Sequence, residues 1–350
     1  MRKTRYSILA AFAGGLAAAC GSDPTGVAID APQGTDGVGS DAPVNSGAKV
    51  PEIRCAFAPT LPAKRDWNKT TSAAIALASP LHRGLDLIAS VDEATQRLAG
   101  IAAYGTVDKA LTGENIDVYA CNAGSWQLVG TATTDSNGEF AIPLTGDKRL
   151  GIGLRDMMLA VQGDNSVERF LALVVPQNAY AFVSDVDGTL TEKESAFQNS
   201  LVTQGEVGLH PGAAESLRAL AARGYIPVYV SSRSNRFTSV SRKWFIDHQL
   251  PRGVIRFASA LITIPGDATV ELKTAAIAEV ESHGITVDVG IGNRGSDVKA
   301  YSNNGLAGDH TWMKMPEYND ELVDPIAAGQ AIGFENYADL LTRIAALPQR

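Results

Sequence analysis

The segment Val183-Ser184-Asp185-Val186-Asp187-Gly188-Thr189-Leu190-Thr191 continues an apolar run that begins at Tyr180. Such a run predicts a buried strand, and two aspartates one residue apart stand at its end. Side chains alternate along a strand, so Asp185 and Asp187 would face the same way if the strand continued. Gly188 indicates that the chain turns there instead. Two neighbouring carboxylates are costly unless positive charge lies between them.

Two kinds of structure would explain this pair of acids. A hard cation such as Mg²⁺, bound by carboxylates and by substrate phosphate oxygens, supplies the missing charge. One carboxylate can then attack phosphorus, as in aspartyl-phosphate enzymes. The alternative is an Asp-Gly turn with a spare acid beside it, as in many hairpins. Partner residues elsewhere in the chain favour the first interpretation.

The first nineteen residues predict an export signal. Cations within residues 2–5 precede an apolar run, Ile8 to Ala19, that is too short to span a bilayer comfortably. Residues 16–20 resemble a bacterial lipoprotein processing site, which implies cleavage before Cys20 and lipidation of its sulfur. The alternative is an ordinary secretory signal with a chance cysteine. Because Gly21 follows, we expect a lipid-anchored protein of the cell envelope, on the periplasmic face of the outer membrane.

The composition beyond the signal limits the class of partner. Residues 20–50 have almost no large apolar groups, so they cannot bury enough surface to fold and predict a flexible tether. The formal charge is −8, and loss of residues 1–19 removes three cations and no acid, which leaves about −11. We therefore expect no nucleic-acid partner, because phosphate backbones need basic surfaces. An anionic small substrate needs only local positive charge.

The chain has three cysteines. Cys20 would carry lipid, which leaves Cys55 and Cys121. The export route is oxidising, and this favours a disulfide between these two over two free thiols. Their spacing alone does not prove the pairing.

Residues 81–176 predict an all-β domain. Short alternating segments are separated by turn sequences at 122–124 and 135–138, which favours a sandwich of immunoglobulin-like or transthyretin-like type. It shows no catalytic constellation, so a spacer or scaffold role is favoured over lipid or partner binding. Residues 51–80 predict an irregular lead-in with one helix around Thr71 to Ala78. The expected strands are Asp117–Tyr119, Gln127–Val129, Glu139–Ile142, Met157–Val161 and Phe170–Val175.

Residues 177–350 alternate strand and helix, which predicts an α/β domain with a Rossmann-like parallel sheet covered by helices on both faces. Ligands of such sheets bind at the carboxyl ends of the strands. The expected strands are Tyr180–Asp185, Ile226–Ser231, Val254–Phe257, Val287–Ile291 and Thr311–Lys314. The expected helices are Ala213–Arg223, Asn235–Gln249, Leu272–His283, Ser296–Asn304 and Glu335–Leu347.

Further polar residues follow successive strand ends or helix starts. After the second strand, Ser231 and Arg233 offer a hydroxyl and a cation to phosphoryl oxygens. Lys273 opens a later helix, and Asn293 and Asp297 follow the fourth strand with oxygen ligands. Taken singly, each has a structural explanation: a strand-end cap, a surface lysine, a Gly-Asn turn. Their order along the chain favours a single site.

In this order the motifs resemble the haloacid dehalogenase-like (HAD) superfamily of phosphatases. Over residues 180–315 the closer resemblance is to the catalytic domain of lipins (LNS2-like), which are Mg²⁺-dependent phosphatidate phosphatases. The same domain type closes membrane-associated phosphatidylinositol-transfer proteins, where it binds phosphatidate without clear catalytic residues. Lipins usually carry Lys-Ser-Asp where this chain has Glu192-Lys193-Glu194, which leaves substrate choice open. The matching segments are Asp185–Thr191, His210–Gly212, Tyr229–Arg233, Leu250–Gly253 and Gly292–Tyr301.

This resemblance implies a role for each residue. Asp185 would be the nucleophile, and Asp187 the general acid and then the general base. The phosphoryl group would be bound by Thr189, Ser231, Ser232, Arg233 and Lys273. Mg²⁺ would be held by Asp185, the backbone carbonyl of Asp187 and Asp297, with Asn293 nearby.

The connections leave no room for a lid domain between Thr191 and His210, so we expect an open site suited to a phosphate presented by a surface. The helix after the second strand combines cations with an aromatic residue. These would either face anionic headgroups or be solvated while the helix packs on the sheet, and the second interpretation is favoured. The residues are Arg233, Arg236, Arg242, Lys243 and Trp244.

The sequence therefore predicts an envelope-anchored, Mg²⁺-dependent phosphomonoester hydrolase that works through an aspartyl-phosphate, with phosphatidate as its leading substrate. A phosphatidate-binding module without turnover and a structural lipoprotein stay open. Within the enzyme class, lysophosphatidate, phosphoprotein, sugar or nucleotide phosphates are alternative substrates.

Overall fold

The computed structural model describes residues 50–203, 205–260 and 266–350. The expected export signal, Cys20 and residues 20–49 of the expected tether lie outside this part of the chain. Within it, no helix is long and apolar enough to cross a membrane.

The first half of the described chain contains one helix and eleven strands. The helix is α1 (Thr70–Ile75). The strands are β1 (Glu52–Ile53), β2 (Arg83–Leu85), β3 (Leu87–Ser90), β4 (Thr95–Ile101), β5 (Ala103–Tyr104), β6 (Lys109–Ala110), β7 (Asn115–Asn122), β8 (Ser125–Thr133), β9 (Glu139–Thr145), β10 (Gly153–Val161) and β11 (Val167–Val175).

These strands form a sandwich. The larger sheet has the order β3-β11-β10-β7-β8, with β1 beside β10, and the smaller has the order β2-β4-β9. Leu98, Ile116 and Phe170 are among the buried side chains between the sheets. A disulfide between Cys55 and Cys121 attaches the lead-in to β7, the pairing that the sequence favoured. The short strands β2 to β6 were not predicted.

The second half alternates strands and helices. The strands are β12 (Ala179–Ser184), β13 (Ile226–Ser234), β14 (Val254–Ala258), β15 (Ile285–Gly292), β16 (Thr311–Lys314) and β17 (Ile332–Phe334). The helices are α2 (Ala196–Thr203), α3 (Ala213–Ala222), α4 (Thr238–Asp247), α5 (Asp267–Ser282), α6 (Gly295–Asn303), α7 (Asn319–Ala327) and α8 (Ala338–Ala346).

The strands of this half form one parallel sheet with the order β14-β13-β12-β15-β16-β17. β12 lies between β13 and β15, so the polar residues that follow these three strands meet at one edge. The sequence predicted five of the six strands and missed β17, α2 and α7. These elements are short, and α7 contains Pro325, which weakens a helical pattern.

The sandwich covers part of this sheet. Leu171, Leu173 and Val175 of β11 share one buried cluster with Val183 and Val228 of the parallel sheet. Helices α3 and α8 pack on the opposite face. The sandwich therefore acts as a scaffold that buries a sheet face, and it is not merely a spacer.

A buried carboxylate joins the two halves. Asp86, between β2 and β3, accepts hydrogen bonds from Arg242 of α4 and from the backbone N–H of Leu171 and Ile255, each at 2.8 Å. Asp86 is 6% exposed. Every donor would lose its partner if this side chain were removed.

We expect Asp86→Ala to lower the free energy of unfolding by about 3 to 5 kcal/mol, because it leaves a partly buried guanidinium and two backbone donors unpaired. Urea unfolding of the full chain measures this. The matched control is Asp247→Ala, which removes the partner of Lys243 in an exposed ion pair on the same helix and should have little effect. Equal losses of unfolding free energy in the two variants would contradict the role of Asp86 in joining the two halves.

A second buried polar group lies in the sandwich. His82 is 3% exposed; its Nδ1 accepts the N–H of Ala103 and its Nε2 lies 2.8 Å from Ser166 Oγ. Burial lowers the pKa of His82 from 6.5 to about 4, although Asp164 opposes the shift. The imidazole is therefore neutral in the folded chain at neutral pH.

This histidine makes stability depend on pH. The unfolded chain binds a proton at His82 below its ordinary pKa of 6.5 and the folded chain only near 4, so stability present above pH 6.5 is lost as the pH falls toward 4. By pH 4.5 the loss is roughly 2 kcal/mol. We expect His82→Gln to lose less stability than the wild type over this range in urea unfolding. Parallel losses would contradict the assignment.

Candidate active site

The loop after β12 turns within a few residues. Gly188 has φ +70°, and a Cβ atom there would lie 2.1 Å from Asn293 Nδ2. The Gly188 N–H donates to Thr191 Oγ1 at 2.8 Å, and the N–H of Leu190 donates to the carbonyl of Val186. The turn therefore requires glycine at this position, and it separates the paths of the Asp185 and Asp187 side chains.

A buried ammonium joins two of the predicted acids. Lys273 Nζ of α5 lies 2.7 Å from Asp185 Oδ1 and 2.6 Å from Asp297 Oδ1. The three side chains are between 0 and 6% exposed. Burial raises the pKa of Asp185 to about 6, against the effect of Lys273. Burial alone would lower the pKa of Lys273, but the two carboxylates raise it above its usual value.

Asp297 is fixed by the start of α6. Its Oδ2 accepts the backbone N–H groups of Asn293 and Arg294, each at 3.1 Å. A Cβ at Gly292 would lie 2.5 Å from the Asp297 Cβ, so glycine permits this approach. The hydroxyl of Thr189 lies 3.0 Å from Asp185 Oδ2 and 3.2 Å from Asn293 Oδ1. Thr189 thus connects the ends of β12 and β15.

The carboxylate of Asp187 does not join this group. Arg233 donates to it with both sides of the guanidinium, Nε at 2.8 Å and Nη2 at 2.7 Å, and Ser231 Oγ lies 3.2 Å away. The metal set implied by the resemblance uses only the backbone carbonyl of Asp187, so the position of this side chain neither supports nor opposes that set. Two residues expected to bind phosphate instead bind an acid of the chain.

One cavity connects these groups. Its volume is about 750 Å³, and it lies between the starts of α5 and α6 and part of α7. Asp185, Asp187, Ser232 and Lys273 line it. Most of its other lining residues are polar, including Asp267, Arg294, Ser296 and Lys299.

The cations after the second strand are used within the protein. Arg236 pairs with Asp108 of the sandwich at 3.0 Å, and Arg242 pairs with Asp86. Only Lys243 of this group forms an exposed pair among the described residues. These pairs and the burial of Phe245 favour packing of this helix within the protein, although Arg236 and Arg242 are paired and not simply solvated. Contact of the helix with anionic headgroups stays a prediction. Trp244 donates its indole N–H to the carbonyl of Val207.

Sequence reasoning missed the role of Glu194. Its Oε2 accepts from Asn293 Nδ2 at 3.2 Å, and the side chain lines the cavity. Burial, followed by the charge of Asp185, raises the pKa of Glu194 to about 8. The signal was the acid that Glu194 shares with the third position of the lipin Lys-Ser-Asp segment.

The donor chemistry of the site fits Mg²⁺. Asp185, Asp297 and Asn293 supply carboxylate and amide oxygens at one strand edge, and two buried carboxylates against one lysine leave an excess negative charge. Within the described ranges, no group of three or more His, Cys, Asp or Glu side chains is arranged to hold a metal ion. The side chain of Asp187 faces Arg233, so only its backbone carbonyl would belong to this set.

Two family models match the chain. Residues 182–314 match the LNS2 domain of PITM 1-3. Residues 80–174 match the beta-sandwich domain of the same proteins. The LNS2 match includes Asp185, Arg233, Lys273 and Asp297. The two matches have the observed order of a sandwich followed by a parallel-sheet domain.

Curated relatives match both halves. Protein retinal degeneration B of Drosophila melanogaster is 29% identical over 273 residues, which are 76% of this chain and 21% of that protein. Membrane-associated phosphatidylinositol transfer protein 1 of Rattus norvegicus is 28% identical over 261 residues, 73% of this chain and 20% of that protein. The chain thus spans about a fifth of the length of these relatives.

Among solved structures, a protein described as a HAD-like phosphatase from Mesorhizobium loti is 16% identical with a TM-score of 0.32. The match covers 47% of this chain and 91% of that one.

Lys273 should be essential for stability. We expect Lys273→Met to lower the free energy of unfolding at pH 7 by about 3 to 5 kcal/mol, because it leaves two buried carboxylates without their common partner. The control is Lys299→Met, an exposed residue of the same cavity. Chemical unfolding of both variants measures the difference. An unchanged midpoint for Lys273→Met would contradict the buried ion triad.

Proposed function

We propose that this chain is a Mg²⁺-dependent phosphomonoester hydrolase that works through an aspartyl-phosphate on Asp185. The observation that carries the proposal is the meeting of Asp185, Lys273 and Asp297 beside a cavity that Asp187 also lines. A carboxylate oxygen, a cation for the phosphoryl oxygens and a second carboxyl for proton transfer are the groups that a two-step displacement requires.

The residues divide the reaction into two steps. Asp185 Oδ forms a bond to phosphorus as the bond to the leaving alcohol breaks, and the Asp187 carboxyl gives its proton to the leaving oxygen. Asp187 then takes a proton from a water molecule, whose oxygen attacks phosphorus and releases phosphate and the Asp185 carboxylate. Lys273 offsets charge on the phosphoryl oxygens. Bound Mg²⁺ would supply further charge stabilisation through oxygens of Asp185, Asp297 and the Asp187 backbone.

The leading substrate in this proposal is phosphatidate. The LNS2 match and the relatives named as membrane-associated phosphatidylinositol transfer proteins support a phospholipid ligand. The lipoprotein-like sequence at residues 16–20 supports anchoring at the cell envelope, where such a substrate is presented. Other phosphomonoesters are the alternatives within the same chemistry.

A second candidate function is phosphatidate binding without turnover. Its support is that Asp185 and Asp187 are both held by cations of the chain, Lys273 and Arg233, and that several relatives are named for phosphatidylinositol transfer. A site with these donors could bind a phosphate group and release it unchanged.

Phosphate release separates the two candidates. Wild type should release phosphate from phosphatidate in mixed micelles and from an aryl phosphate with Mg²⁺, and should stop with EDTA. Asp185→Asn should lower the rate of phosphate release by at least about 10³-fold. Its far-ultraviolet circular dichroism and its melting curve should remain those of a folded protein. Full activity of Asp185→Asn would remove the nucleophile, and vesicle binding without release in the wild type would favour the binding module.

A further inference from the structure

Arg233 and Ser231 bind Asp187 with the geometry that they would offer to a phosphoryl group. The guanidinium donates two nearly parallel hydrogen bonds to the two carboxylate oxygens, and the Ser231 hydroxyl adds a contact to Oδ2. A guanidinium fork donates hydrogen bonds to carboxylate and to phosphate oxygens alike. Asp187 therefore accepts the hydrogen bonds of Arg233 and Ser231 that a bound phosphoryl group would accept.

Of Arg233 and Asp187, Arg233 is the more firmly held side chain. Its Nη1 donates to Ser241 Oγ of α4 at 2.9 Å, and its guanidinium carbon lies 3.9 Å from the centre of the Phe197 ring of α2. Its side chain is 4% exposed, against 15% for that of Asp187, which also lines the cavity. A change of partner is thus easier for the carboxylate than for the guanidinium.

We propose that Asp187 and the phosphoryl group are alternative anions for one donor pair, Arg233 and Ser231. Entry of a phosphoryl group displaces the Asp187 carboxylate, which then takes up a proton from solvent and can give it to the leaving oxygen. Arg233 is in this sense a positioning residue that retains Asp187 until the substrate arrives. The role of Asp187 after release rests on the proposed function, whereas the exchange is a binding equilibrium that needs no turnover.

The exchange has a measurable cost. A ligand that must displace an internal competitor binds more weakly than its contacts alone would allow. Removing the charge of Asp187 should therefore strengthen phosphate binding, and only while the Arg233 fork is intact. Asp187→Asn keeps the size of the side chain and loses one charge-assisted partner.

Calorimetric titration of the full chain with inorganic phosphate, at fixed Mg²⁺, tests this. We expect Asp187→Asn to bind phosphate about tenfold more tightly than wild type, the equivalent of one released charge-assisted hydrogen bond. Asp267→Asn controls for the loss of a negative charge, because Asp267 lines the same cavity and is exposed. It should change the affinity by less than about twofold. In a chain that also carries Arg233→Lys, Asp187→Asn should give no gain in phosphate affinity.

Three results would overturn the exchange: no gain in Asp187→Asn, an equal gain in Asp267→Asn, or a gain that persists with Arg233→Lys. Melting curves of each variant establish that it is folded. If the phosphate affinities follow the expectation but no ester is hydrolysed, the exchange stands and the hydrolase proposal fails. If no variant binds phosphate, both fail.

Discussion

The candidate site depends on one buried ammonium. Lys273 reaches from α5 to the ends of β12 and β15 and binds Asp185 and Asp297 together. Two carboxylates this deeply buried would be untenable without a shared cation. The same contact fixes the start of α6, because Asp297 in its first turn also accepts the backbone N–H groups of Asn293 and Arg294, which precede the helix. The same ion pairs therefore balance the buried charges and position the residues at this edge of the sheet.

The sandwich is part of this arrangement. It buries a face of the parallel sheet, and Asp86 and Asp108 bind Arg242 and Arg236 on the segment that follows β13. Arg233, which binds Asp187, lies at the end of β13, just before that segment. The two halves thus share a buried apolar cluster and ion pairs close to the candidate site, which gives the β half a structural reason to accompany the parallel-sheet half.

The positions of polar residues along the sequence predicted much of the candidate site, but they predicted little about which side chains pair with each other. Asp185 and Asp297 meet because parallel strands end at one edge, a consequence of chain order, and Lys273 reaches both from within α5. The partner of Arg233 was not predictable, since a guanidinium fork suits the Asp187 carboxylate as well as phosphate. Asp86 pairs with Arg242 across 156 residues, and no local pattern encodes such a contact. The burial of Glu194 depends likewise on elements distant in sequence.

The central claim is that Asp185 forms a covalent bond to phosphorus. The most direct measurement is acid quenching of the wild-type chain during turnover of a radiolabelled phosphomonoester with Mg²⁺, followed by peptide mapping. The account predicts acid-stable, hydroxylamine-labile label on the peptide that contains Asp185 and none in Asp185→Asn. Phosphate release without a labelled protein, or label on another residue, would contradict it.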